Sequence, residues 1–94
     1  MEVSGKTPED LLVLNGVGTL CFTNGVPLEL ILSFFKRDGY VVDWVDYIKT
    51  ALLDGHNPRT IRSRIDSAVS DVYGRKYADE VLVRTDRVIH LLVG

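Results

Sequence analysis

NPRTIRSRIDSAVSDVYG, residues Asn57 to Gly74, is the stretch whose reading decides the fold. Asn57 is a good N-cap, Pro58 suits the first helical position, and Gly74 suits a left-handed stop. Ile61, Ile65, Ala68, Val69 and Val72 recur between them at helical spacing, which predicts a helix over 57–74 with one buried face. The opposite face carries Arg59, Arg62, Ser63, Asp66 and Ser70, with Thr60, Arg64 and Ser67 toward one flank.

The order of charges on this helix is unusual. A helix macrodipole favours acids in the first turn and bases in the last, by roughly 0.3–1 kcal/mol per charge. Here Arg59, Arg62 and Arg64 come early and Asp71 late. Early arginines on a solvent face suit a helix whose N-terminal half meets phosphate or base edges. The plainer alternative is a solvated face on which Arg62 pairs with Asp66 one turn on, although that order is the weaker one.

Outward from this stretch the elements follow in turn. Asp43 caps a helix over 43–54 that Gly55 ends, with Trp44, Val45, Ile48, Ala51 and Leu52 on its inner face. Tyr40–Val42 is short, β-branched and aromatic, and reads as a brief strand. Pro27 starts a central core helix over 28–37, stopped at Asp38-Gly39, whose Leu28, Ile31, Leu32, Phe34 and Phe35 wrap much of the circumference. Burial of such side chains contributes ~1.5–3 kcal/mol each before entropy is charged. Beyond Gly74, Glu80–Arg84 and Arg87–Val93 read as two strands around a Thr85-Asp86 turn, rich in Val, Ile and Leu.

The first 26 residues are read as an extension packed on a core of 27–94, the whole forming a single domain. Thr7-Pro8-Glu9-Asp10 has the form of a helix start, with the helix ending near Gly16 and an extended Thr19–Thr23 after it. A rival reading pairs Leu11–Leu14 with Gly18–Phe22 as a hairpin across Asn15-Gly16.

From Leu28 onward the order is helix, short strand, helix, turn, helix, strand, turn, strand. That order resembles the winged-helix superfamily. The resemblance implies an α+β, winged helix-turn-helix fold with three core helices, a C-terminal β-hairpin wing at 80–93 and an extra N-terminal segment. It makes 57–74 the recognition helix of a nucleic-acid-binding domain. It is carried by element order alone, and two features depart from it: the net charge is −2, and the wing tip at Thr85-Asp86 is short. An all-helical death-fold adaptor is set aside because Glu80–Val93 reads as strands.

The candidate nucleic-acid-binding residues are Arg59, Thr60, Arg62, Ser63 and Arg64 on the helix, Arg75 and Lys76 after it, and Arg84 and Arg87 flanking the wing turn. Arginine offers a donor fork that matches guanine or phosphate, and hydroxyls are adaptable contacts. For Arg84 and Arg87 the plainer role is pairing with Asp86 or Glu80 on an ordinary surface. Tyr73 and Tyr77 bracket Gly74, where packing beside a helix end is commoner than stacking on bases.

Charge distribution supports a partition. Residues 1–56 carry four Lys or Arg against eight acids, while 57–94 carry seven against five, so only the C-terminal part attracts a polyanion. The expected partner is nucleic acid, duplex DNA first, or else a protein, a second copy of the chain included. Neither a membrane nor a small-molecule substrate is expected. Hydrophobic content of 46% and charged content of 26% exclude disorder, and no apolar run approaches the ~20 residues of a membrane span. Single Cys21 excludes an internal disulfide and suits an intracellular, reducing compartment. Two histidines, His56 and His90, and one cysteine give no metal spacing, and Asn15-Gly16-Val17-Gly18 lacks the lysine of a phosphate loop. No catalytic arrangement and no cofactor are expected.

Overall fold

A computed structural model describes residues 1–94. The elements are β1 (Val3–Lys6), β2 (Leu12–Leu14), α1 (Val17–Phe22), α2 (Leu28–Asp38), β3 (Tyr40–Val42), α3 (Trp44–Leu53), α4 (Pro58–Tyr73) and α5 (Arg75–Val93). The fold is α+β: five helices and one three-stranded mixed sheet in the order β1-β2-β3. β1 and β2 are antiparallel, whereas β2 and β3 run parallel with Leu12, Val13 and Leu14 opposite Tyr40, Val41 and Val42. Because side chains alternate across a strand, Leu12, Leu14, Tyr40 and Val42 face the helices and join the core or pack against it. Val13 and Val41 share the other face of the sheet.

The central helices begin and end as their sequences dictate. Asp43 accepts the Asp46 amide at 3.1 Å, and Asn57 accepts the Thr60 amide at 2.8 Å. Gly39 takes the left-handed conformation (φ 79°) and donates its amide to Phe35. Ile31, Leu32, Phe35, Ile48, Ile61, Ile65 and Val69 form the middle of an 18-residue core. Phe34, by contrast, is exposed, with Arg37 stacked 4.9 Å from its ring.

The C-terminal hairpin does not form. Residues 75–93 are one helix, and the only hairpin in the fold is N-terminal. Ala78, Val81, Leu82 and Thr85 are buried and Val83 is exposed, a spacing of three and four that a strand cannot produce. Thr85, expected in a turn, is buried inside the helix and donates its hydroxyl to the Val81 carbonyl at 2.9 Å. β-branched content favours strands only weakly beside burial of a continuous stripe, and α5 lays that stripe against α4 and α3. The objection to an all-helical fold at 80–93 therefore falls, but the β1–β3 sheet excludes that fold anyway.

The N-terminal segment also differs from both of its sequence readings. Thr7–Asp10 closes the β1–β2 hairpin instead of starting a helix. The Asp10 amide donates to the Thr7 carbonyl at 2.9 Å, and the Leu11 amide donates to the Thr7 hydroxyl at 3.1 Å. The cap-forming side chain serves a turn equally well, and a helix stopped by Asn15-Gly16 would be too short to stand. Residues 19–23 are not extended either: Thr19–Phe22 lie in α1. Gly16 (φ 87°) turns the chain, and its amide donates to the Asp46 carboxylate at 2.9 Å, tying the start of α1 to α3. Leu14 and Val17 are core residues, so the segment before residue 27 is built into the fold.

Candidate nucleic-acid interface

α4 is held at a fixed roll. Its buried Ile61, Ile65, Ala68 and Val69 point inward, α2 packs on one flank and α5 on another. What remains outward is Thr60, Ser63, Arg64 and Ser67, with Arg59 beside them. Glu29 from the first turn of α2 completes an open depression of about 520 Å³ around these five, with no apolar side chain in its wall. Four of the nine candidate residues, Arg59, Thr60, Ser63 and Arg64, are thus brought together. Arg59 and Arg64 make no ion pair, and the N-terminus of α4 adds its partial positive charge close by.

Arg62 faces away from this group. Its guanidinium donates to the Asp86 carboxylate of α5 at 2.8 Å, a half-exposed ion pair that raises the arginine further. Such a pair is weak, so Arg62 has a resting partner without being buried. Arg75 donates to Asp66 at 2.6 Å and to Asp79 at 2.9 Å. The hydrogen bond from Arg75, aided by one from Ser70, holds the Asp66 carboxyl below the usual carboxylate range. Asp66 therefore answers Arg75, not Arg62 one turn earlier. Lys76 and Arg87 are exposed on α5 without ion pairs, and Arg84 lines a separate cavity beside the N-terminal half of that helix.

The charge reversal of α4 is therefore explained in part by pairing. Asp86 accounts for Arg62, while Arg59 and Arg64 have no acidic partner. Ser67 and Glu29 complete the depression. Ser67 could be read as a flank residue, but Glu29 could not be placed there from sequence, because its arrival depends on how α2 crosses α4. Tyr73 and Tyr77 stack on each other with ring centroids 4.6 Å apart, and the Lys36 ammonium lies 5.6 Å from the Tyr73 ring, which is a packing role. His56 hydrogen-bonds Asp54 at 3.0 Å and stacks on Phe22.

One buried polar atom has no partner. Tyr47 is fully buried in α3, and its hydroxyl makes no hydrogen bond. Burial raises its pKa, with Cys21 and Glu29 adding to the effect and Arg64 opposing it. Cys21 in α1 is half-buried, and burial pushes its thiol up to about 11.

No cluster of three or more His, Cys, Asp or Glu is placed to hold a metal ion, and no helix is long and apolar enough to cross a membrane. No protein-family model, curated protein or solved structure matches this chain.

Proposed function

We propose that this chain is a nucleic-acid-binding domain, without catalysis, that reads or grips duplex DNA through the open face of α4. The observation that carries the reading is the pair of unpaired arginines, Arg59 and Arg64, set among the Thr60, Ser63 and Ser67 hydroxyls at the N-terminal half of the helix. Guanidinium forks and hydroxyls are the donors that phosphate oxygens and guanine edges accept. The order α2–β3–α3–α4, with α3 and α4 joined through left-handed Gly55 (φ 92°), supports a winged-helix-like arrangement of the helix pair. The one hairpin is N-terminal, not C-terminal as expected. Its Lys6 is paired with Asp10 at 3.3 Å and its turn carries Glu9, so it offers phosphate little. The contact is accordingly centred on α4, with exposed Lys76 and Arg87 as outlying charges.

The test is fluorescence anisotropy with mixed duplex DNA and with single-stranded RNA, titrated from low to physiological salt. Two phosphate contacts predict a log–log salt slope of about −2 on duplex DNA. Arg64→Glu is expected to weaken binding at least tenfold at low salt and to leave the melting temperature unchanged, because Arg64 is exposed and unpaired. Arg62→Glu is a poorer probe, since it also breaks the Asp86 pair. Absence of binding to either nucleic acid at low salt overturns the proposal.

A protein-interaction module on the same fold is the second reading, favoured by Leu30 and Phe34, which stand 49% and 46% exposed one turn apart on α2. Its dimeric form predicts a mass by light scattering that rises with concentration.

A further inference from the structure

A second cavity, of about 570 Å³, opens between the hairpin turn, the outer face of the sheet, the start of α3 and the N-terminal half of α5. It shares no residue with the depression on α4. Its floor is apolar: Leu11, Val13 and Val41 line it, half-buried and outside the main core. Trp44 and Val45 continue the floor from α3, and Val81 from α5.

The rim is charged. Glu9 from the hairpin turn, Asp43 from the α3 cap and Glu80 from α5 stand against a single base, Arg84. Neither Glu9 nor Glu80 makes an ion pair. Tyr77 lines the same cavity; burial raises its phenol, with Arg84 opposing that shift and Glu80 and Glu9 adding to it. Three carboxylates against one guanidinium leave an excess of negative charge over an aliphatic floor.

That combination selects its occupant. Like charge repels a phosphate backbone, and an aliphatic floor gives a bare cation nothing to bind. At about 570 Å³ the cavity is within the range of ordinary ligand pockets, with room for several side chains and not one. We propose that this cavity docks an extended segment of a partner protein in which aliphatic or aromatic side chains sit next to lysine or arginine. The apolar side chains fill the floor over Val13, Val41 and Trp44, and the basic ones meet Glu9 and Glu80 at the rim. A domain of this kind joins a polyanion on α4 to a basic protein segment on another face, but the docking itself does not depend on the α4 reading.

Trp44 is the only tryptophan, so its emission reports directly on the floor. Random displayed peptides are selected on the immobilised full chain, and those enriched are synthesised and titrated against it by Trp44 fluorescence. The expected result is an enriched pattern of hydrophobic residues beside lysine or arginine, a shift in Trp44 emission on binding, and a loss of at least tenfold in the double variant Glu9→Lys, Glu80→Lys. Both glutamates are exposed, so circular dichroism and melting temperature are expected to hold in that variant. Arg84→Glu provides a gain-of-affinity arm, since removing the one base at the rim is expected to tighten the same peptides severalfold. The proposal is overturned by selection that enriches nothing or enriches acidic peptides, by affinity indifferent to all three substitutions, or by hexylamine shifting Trp44 as strongly as the peptides at equal concentration.

Discussion

Gly18 is the point of closest approach between α1 and α3. A Cβ built there would lie 2.7 Å from the Thr50 Cβ, an atom fixed to its backbone and unable to swing aside. Alanine would improve local helix propensity by about 1 kcal/mol, yet overpacking of this severity costs about 1–3 kcal/mol. Gly18→Ala is therefore expected to lower stability by up to about 2 kcal/mol in urea unfolding, and a raised midpoint would contradict the packing. Cys21, close along the same helix, carries a pH prediction. Its thiol titrates at about 11 in the folded chain, against about 8.5 in an unfolded one. The folded state holds the proton more tightly, so this contribution is complete below pH 8.5 and is lost as pH rises toward 11. At pH 8 the thiolate fraction falls by about two orders of magnitude on folding. Because a thiolate of higher pKa is also the better nucleophile, iodoacetamide is expected to alkylate the native chain about tenfold more slowly than the urea-unfolded chain.

The identity of α5 as a helix is testable by two conservative substitutions. Residues two apart share a face in a strand and lie on opposite sides of a helix. Val81 is 7% exposed and Val83 is 59% exposed. Val81→Ala is expected to cost about 1–3 kcal/mol, while Val83→Ala is neutral or slightly stabilising because alanine is the better helix former. Equal losses at the two positions would point to the hairpin. The same contrast shows what could be read beforehand. α2, β3, α3 and α4 lie within a residue of the expected boundaries because caps and stops agree there with apolar spacing: Pro27 and Gly39, Asp43 and Gly55, Asn57 and Gly74. In 80–93, β-branched composition pulled toward strands while the helical stripe of Ala78, Val81, Leu82, Thr85 and Ile89 was present all along. In 7–22 the local signals were ambiguous in kind. Thr-Pro-Glu-Asp serves a cap or a turn, and the choice rests on β1 finding β2 and β3, a non-local pairing. The candidate site was half legible: residue types on α4 showed which arginines were outward, but the partners that occupy Arg62 and Arg75 arrive from the packing of α5 and from across the turn.

For the whole molecule, the two surfaces divide the charge only partly as the sequence does, since Glu80 on the acidic rim comes from the base-rich part. The acid-rich first 56 residues supply Glu9 and Asp43 to the apolar cavity, and the base-rich remainder supplies Arg59 and Arg64 to the face of α4. Each face also carries one charge of the opposite kind, Glu29 on the basic face and Arg84 on the acidic one, which tempers the field without reversing it. Under the two proposals, those are the residues at which affinity is tuned without rebuilding either surface. Glu29→Gln is expected to tighten duplex binding severalfold at low salt and to lose that advantage as salt screens the field, read by the same anisotropy titration; tightening that persists at high salt would contradict an electrostatic role.

Gly74 alone separates α4 from α5, and its backbone (φ 95°, ψ 171°) lies in a region open essentially to glycine. A chain with alanine there is strained in the closed elbow but free to run straight, fusing two helices into a single rod. The apolar stripe of α5 would then leave its own α4 and seek the equivalent groove on another molecule. Gly74→Ala is thus a route to an intertwined dimer that exchanges α5, visible as an earlier-eluting species that accumulates with concentration and refolding.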